Sequence, residues 1–137
     1  MKVKEYLRQY EHAARRAERF RKEYEQEMQK IDAVRSVSDN DGMPHGTGIS
    51  KPTEEKAIRL AIKASAWRGA ELEALAIRQE VFETISEIPG VEGEVLFARY
   101  IELKEWENIA QELHYSLRGI HGIHGRALQI VAEKLCI

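Results

Sequence analysis

A chain of 137 residues is long enough for one ordinary domain, or for a small domain with a helical appendage, and it is too short for two full domains. Hydrophobic residues make up 43% of the chain and charged residues 32%, so enough apolar surface is present to form a core, and a disordered chain is excluded. The 21 basic and 23 acidic residues leave a formal net charge of −2, which by itself argues weakly against nucleic-acid binding.

The first 35 residues contain neither Gly nor Pro and predict one long amphipathic helix. Apolar residues recur along it at alternating spacings of four and three, which is typical of a coiled-coil seam. The seam consists of Tyr6, Tyr10, Ala13, Ala17, Phe20 and Tyr24, and Met28 and Ile31 continue it after a one-residue slip. We interpret its aromatic side chains as packing residues rather than as a ligand site, because the period accounts for each of them.

Residues 36–52 concentrate Gly, Ser, Asp, Asn and Pro and predict a linker. Thr53 is the predicted N-cap of a second long helix that ends near Pro89. Its stripe is formed by Leu60, Trp67, Ala74, Val81 and Ile88 at intervals of seven, and Leu75 and Phe82 broaden the stripe. Gly69 is interpreted as the mark of a close helix crossing. The two long helices can form an antiparallel hairpin or can pair with a second copy of the chain as a homodimer.

After Pro89 the sequence predicts three shorter helices, at residues 91–100, 104–113 and 116–135, and no strands. We therefore predict an all-α fold with two parts. A long N-terminal helical hairpin of coiled-coil type, residues 1–88, precedes a C-terminal three-helix helix-turn-helix unit, residues 89–137.

The helix-turn-helix prediction comes from the apolar residues between Trp106 and Gly125. The positions that such a motif buries are Trp106, Ile109, Ala110, Leu113, Tyr115, Ile120 and Ile123. His114 occupies the turn position where Gly often supplies a left-handed backbone, and His tolerates that conformation better than most residues. Ser116 is the predicted N-cap of the last helix, with a hydroxyl that can serve the backbone or a phosphate. A generic helical hairpin is the alternative.

The outward face of the last helix is the candidate DNA-binding surface, and its segment is locally basic. The candidate residues are Ser116, Leu117, Arg118, His121, Gly122, Gly125 and Arg126. The fork of Arg118 matches the O6 and N7 acceptors of guanine, although a phosphate contact is an alternative. For His124, packing and DNA contact remain open. The three glycines at 119, 122 and 125 weaken a helix, and we hypothesise that their bare backbone allows close approach to DNA or to another helix.

Other functions find little support in the residues. His114, His121 and His124 have no Cys or Asp nearby to complete a metal site, so we expect neither a metal nor another cofactor. We do not expect an enzyme, because no nucleophile motif and no phosphate-binding glycine loop are present. Cys136 is interpreted as an incidental thiol. Since no secretory signal and no apolar run of about 20 residues occur, we expect a cytoplasmic protein without a membrane partner.

The segment from Phe97 to Leu135 resembles region four of bacterial sigma factors, as used by phage and prophage transcriptional regulators of the ArpU and RinA kind. The resemblance extends loosely to residues 43–61. By position, Arg99 and Tyr100 fall in the first helix of the sigma-like unit, and Ser116, Arg118 and His121 fall on its DNA-reading helix. The glycine triplet departs from the more polar helices of that family.

The resemblance implies a regulator of late phage genes that binds promoter DNA in a bacterial host cell and contacts the host RNA polymerase. Two alternatives stay open. One is a small terminase-like DNA-packaging subunit that assembles as a ring. The other is a helical interaction protein that binds polymerase or a regulator through its long hairpin.

Overall fold

The computed structural model describes residues 2–39 and 51–136, and within these ranges the chain forms helices and turns without a strand, which confirms the all-α prediction. The central part of the predicted linker, residues 40–50, lies outside the described residues. The helices are α1 (Val3–Leu7), α2 (Gln9–Asp39), α3 (Lys51–Ser86), α4 (Gly90–Leu96), α5 (Trp106–Leu113) and α6 (Leu117–Leu135), and a π-helical segment, Phe97–Ile101, continues α4.

Several helix boundaries differ from the predicted ones. The first long helix is interrupted at Arg8, which separates α1 from α2. Helix α2 continues to Asp39, and α3 begins at Lys51, so Thr53 lies inside α3 and is not its N-cap. Pro52 fits the first turn of α3, because a proline there lacks only an N–H that has no helical partner. Residues 36–39 and 51–52, which the prediction assigned to the linker, are therefore helical.

The chain divides into two compact units, Arg15–Leu72 and Met1–Ala14 with Glu73–Ile137. In the first, α2 and α3 run antiparallel, since Tyr24 stacks near Trp67 with ring centroids 5.4 Å apart and Glu27 accepts a hydrogen bond from Lys63 at 3.4 Å. The carboxylate of Glu27 is buried, and this ion pair offsets part of its desolvation. The long helices thus pair with each other within one chain.

The second unit contains the last three helices together with α1 and the end of α3. One core cluster is formed by Leu7, Val81, Ile85, Ile88, Leu96, Tyr100, Ile101, Ala127 and Val131. Leu7, which the predicted seam omitted, is fully buried. The apolar residues of α6 beyond Ile123 pack against α1 and the end of α3, and this contact removes them from water. The core therefore joins residues that the sequence analysis assigned to separate domains.

One expectation for α3 is wrong, and a second finds no support within the chain. Leu75 does not broaden the buried stripe, because it is 60% exposed. Successive residues of an α-helix point about 100° apart, so Leu75 turns to solvent when Ala74 faces inward. Within this chain Gly69 does not lie at a close helix crossing, since a Cβ at this position would meet no atom of the described residues within 4 Å outside its own stretch of helix.

None of the helices in the described residues combines the length and the apolar character that a bilayer crossing requires.

Candidate nucleic-acid interface

Helices α5 and α6 are joined by a three-residue turn whose backbone has the predicted form. His114 closes α5 in the left-handed region with φ 62° and ψ 40°, as the sequence analysis expected. The N–H of Tyr115 then donates to the carbonyl of Ala110 at 3.0 Å, so a carbonyl at the helix end has a partner. The chain can therefore reverse without leaving these backbone groups unsatisfied.

The buried side of this helix-turn-helix arrangement also follows the prediction. Ile109 and Ile120 have no exposed surface, and Ile123 and Ala110 are buried beside them. Val95 and Ala98, from α4 and the π-helical segment, complete this second core cluster. Because the cluster includes residues from all three successive segments, it fixes the position of α6 on its support.

Three predicted core positions differ from the prediction. Trp106 and Leu113 pack against the cluster but are only partly buried, and Tyr115 lies at the surface with 46% exposure. The ring of Tyr115 lies beside the first turn of α6, where a Cβ on Gly119 would be 3.7 Å from one of its ring carbons. The left-handed backbone at His114 changes the direction of the chain, so the side chain of Tyr115 points to solvent and not into the core.

Ser116 caps α6 as predicted. Its backbone is extended, and its hydroxyl accepts a hydrogen bond from the N–H of Gly119 at 3.0 Å. Of the two roles considered for this hydroxyl, the structure shows the backbone role. The cap orders the first turn of α6, which carries Leu117 and Arg118.

All seven candidate DNA-binding residues lie on the exposed surface of the unit, from the N-cap to the middle of α6: Ser116, Leu117, Arg118, His121, Gly122, Gly125 and Arg126. Leu117 is 42% exposed, although it is apolar. At Gly122 and Gly125 an added Cβ would meet no atom of the described residues within 4 Å. These glycines therefore create a bare strip of helix backbone beside Arg118 and His121 rather than a packing contact within the chain.

Although His121 is exposed, its ring packs against the indole of Trp106. The two ring centroids are 4.9 Å apart, and the ring of His124 is a second neighbour of the indole at 4.7 Å. The guanidinium of Arg99 lies over the same indole ring, 4.6 Å from its centroid. Trp106 thus orients one histidine of the exposed face and one arginine from the π-helical segment.

His124 is a packing residue, which resolves the two possibilities left open for it. It is buried, and its Nε2 forms a 2.7 Å hydrogen bond with the hydroxyl of Tyr100. Burial, together with the positive charges of Lys4, His121 and Arg99, lowers the pKa of His124 to about 4. The imidazole is therefore neutral at pH 7 and adds no charge to the surface.

The sequence analysis missed Lys4 as a neighbour of the candidate surface. Helix α1 packs against α6, and the charge of Lys4 acts on His124. Lys4 is therefore an exposed cation on the helix that packs against α6. No local signal could have found it, because more than a hundred residues of sequence separate it from α6.

Acidic groups limit the extent of this basic surface. Arg126 forms a salt bridge with Glu92 at 3.5 Å, although its own side chain is 62% exposed and the pair is consequently weak. Elsewhere in the unit, Glu94, Glu102 and Glu112 line an open groove together with apolar side chains of α3, the π-helical segment and α5. That groove would repel a phosphate backbone, so the exposed face of α6 is the better candidate.

Within residues 2–39 and 51–136, no group of three or more His, Cys, Asp or Glu side chains is arranged to hold a metal ion. Cys136 is exposed at the end of α6.

Comparison of the chain with protein-family models, with curated proteins and with solved structures finds no match.

Proposed function

We propose that this protein binds double-stranded DNA and regulates transcription, with α6 as the helix that enters the major groove. The single observation that carries the proposal is the N-terminal half of α6. There a capped helix, supported by its own buried core, exposes Arg118, His121 and a bare backbone at Gly122 and Gly125.

The chemistry of this face supports base reading combined with phosphate contacts. Arg118 offers paired donors that suit guanine, and Leu117 offers an apolar contact for a thymine methyl group. Lys4 and Arg126 are exposed cations suited to phosphates. Because few cations are available, each copy of the chain would neutralise few phosphates, so it would bind with modest affinity and with a shallow dependence on salt.

The resemblance to sigma region four supports a finer proposal. In this proposal the target is promoter DNA of phage late genes in a bacterial cytoplasm, and the host RNA polymerase is a second partner. In that resemblance Ser116, Arg118 and His121 fall on the DNA-reading helix, and this assignment supports the choice of α6 as the helix that enters the groove.

The direct test is fluorescence anisotropy with labelled duplexes from the genomic neighbourhood of the coding sequence, measured at several salt concentrations. We expect saturable binding that weakens as salt rises and that exceeds binding to a scrambled duplex. Association equal to that of an inert acidic protein would contradict the proposal.

Particle mass separates this proposal from the two alternatives of the sequence analysis. A monomer or dimer is expected for the regulator, whereas a ring of many copies is expected for a packaging subunit. An interaction protein would bind purified polymerase without retaining any duplex.

A further inference from the structure

One face of α3 exposes large apolar side chains in a regular series. Ile58, Ile62 and Leu72 are 59%, 62% and 62% exposed, respectively. Isolated apolar residues are common on protein surfaces, but these three follow a pattern. With Ser65 and Gly69, which are also exposed, they recur at spacings of four, three, four and three. We call these five residues the α3 stripe, and their 3.5-residue period is that of a two-helix seam.

The α3 stripe is distinct from the side of α3 that packs on α2. Trp67 and Lys63 contact α2, and Ala70 is buried on the same side. At about 100° per residue, the α3 stripe lies on the opposite side of the helix from these residues. No atom of the described residues lies within 4 Å of the Cβ position at Gly69, so the centre of the stripe is open.

The charges beside the α3 stripe are complementary to those of a second α3 in one orientation. In the seven-residue repeat of a coiled coil, written a to g, Ile62 and Gly69 occupy position a, and Ile58, Ser65 and Leu72 occupy position d. If two copies run parallel and in register, the residue before each a position lies beside the residue five places later on the other copy. This rule pairs Glu54 with Arg59 and Arg68 with Glu73, the residue after Leu72 in the same helix. Both pairs have opposite charge, whereas Glu55, the a position one repeat before Ile62, would meet the same residue of the other copy as a like charge at the end of the stripe.

The antiparallel alternative is less favourable. The register that places Ile62 opposite Leu72 of the other copy pairs Arg59 with Glu73, but it brings the two Arg68 side chains together and leaves Glu54 without a basic partner on the other copy. It therefore has fewer pairs of opposite charge than the parallel register. Small side chains at Ser65 and Gly69 would allow two parallel helices to approach closely between Ile62 and Leu72.

We propose that the α3 stripe is a homodimer interface on which a second copy of this chain packs parallel and in register through Ile58, Ile62, Ser65, Gly69 and Leu72. The inference does not depend on DNA binding. Association can be measured without any duplex, so failure of either proposal leaves the other intact.

The first test is sedimentation equilibrium of the full chain over a range of micromolar concentrations. We expect the parent protein to form a dimer, and the double variant Ile62→Glu, Leu72→Glu to remain monomeric with an unchanged circular dichroism spectrum. The matched control is Ala57→Glu, which adds a carboxylate to an exposed position of α3 outside the stripe. A monomeric parent, or a dimer that survives the double variant, would overturn the proposal.

The second test distinguishes the orientation by exchanging one charge pair. Glu54→Arg and Arg59→Glu should each weaken the dimer, by about threefold to tenfold in Kd. The double exchange should restore it, because opposite charges again meet in the parallel register. Absence of rescue would contradict the parallel arrangement, since only that arrangement joins residue 54 to residue 59.

The third test uses the position at the centre of the stripe. Ser65→Cys, combined with Cys136→Ser to remove the native thiol, should give a disulfide-linked dimer under mild oxidation. In a parallel register the two residues at position 65 face each other, whereas in the antiparallel register residue 65 faces Gly69. Arg19→Cys in the same Cys136→Ser background controls for random collision, because Arg19 is exposed on α2. Equal linking of both variants would overturn the proposal.

Discussion

The hydroxyl of Tyr100 and the Nε2 atom of His124 form a buried 2.7 Å hydrogen bond that joins the π-helical segment to the middle of α6. The two rings also stack, with centroids 5.8 Å apart. Burial raises the pKa of Tyr100 and lowers the pKa of His124 to about 4, so both groups are neutral at physiological pH. The candidate DNA-reading helix is therefore attached to its support through an uncharged pair.

The first prediction concerns pH. The pKa of His124 is about 4 in the folded chain, below the usual value of about 6.5 in an unfolded chain. Between these values the unfolded state binds more protons, so stability should fall as pH is lowered through this window, by roughly 1 kcal/mol per pH unit. Urea unfolding from pH 7 to pH 4 measures the slope. In His124→Gln the slope should be smaller, and an identical slope in both proteins would rule out this histidine as its source.

The second prediction concerns the hydrogen bond itself. Tyr100→Phe removes the hydroxyl and leaves Nε2 of His124 buried without this partner, which should destabilise the fold by about 1 to 2 kcal/mol. Tyr115→Phe is the matched control, because Tyr115 is 46% exposed and its hydroxyl can exchange a partner for water. Chemical denaturation of both variants measures the difference. Equal stabilities would show that the Tyr100 hydroxyl contributes little.

The third prediction concerns the core beneath α6. Ile109 has no exposed surface, so Ile109→Asp places an unpaired carboxylate in the cluster with Ile120 and Ile123 and should unfold this part of the chain. Leu117→Asp is the control, since Leu117 is 42% exposed in the first turn of α6, where the helix dipole favours negative charge. Near-ultraviolet circular dichroism and amide exchange report the outcome. Full protection of the amides of α6 in Ile109→Asp would contradict the assigned core.

The fourth prediction concerns the proposed DNA contact of Arg118. Arg118→Ala should weaken binding to a specific duplex by about 1 to 3 kcal/mol and reduce discrimination against a scrambled one. Arg19→Ala removes an exposed arginine from α2 and should leave the anisotropy titration unchanged. If Arg118→Ala binds both duplexes as the parent protein does, Arg118 is not a base contact.

The fifth prediction separates stability from DNA affinity at the bare strip of α6. Because a Cβ at Gly122 or Gly125 meets open space, Gly122→Ala and Gly125→Ala should each stabilise the helix by up to about 1 kcal/mol. The same methyl groups should reduce affinity for DNA if the backbone approaches the groove closely. Gly119→Ala should gain less stability, since its Cβ would lie 3.1 Å from the capping hydroxyl of Ser116. Unchanged affinity in the first two variants would remove the close-approach hypothesis.

Local residue patterns predicted much of the candidate site. The buried positions Ile109, Ile120 and Ile123, the cap at Ser116 and the left-handed turn at His114 all follow from spacing and from backbone preference. The exposure of Arg118 and His121 follows from the same helical period. These features depend on neighbours a few residues apart, so the sequence determined them by itself.

Only the tertiary structure decided which distant residues share a core or a surface. Leu7 joins the core under α6 and Lys4 acts on His124 because α1 packs against α6. The burial of His124 likewise depends on Tyr100 and Trp106, which belong to other segments. Helical periodicity identifies an apolar face but not the element that covers it, since hydrophobic burial is not directional and any apolar face of suitable shape can supply the contact.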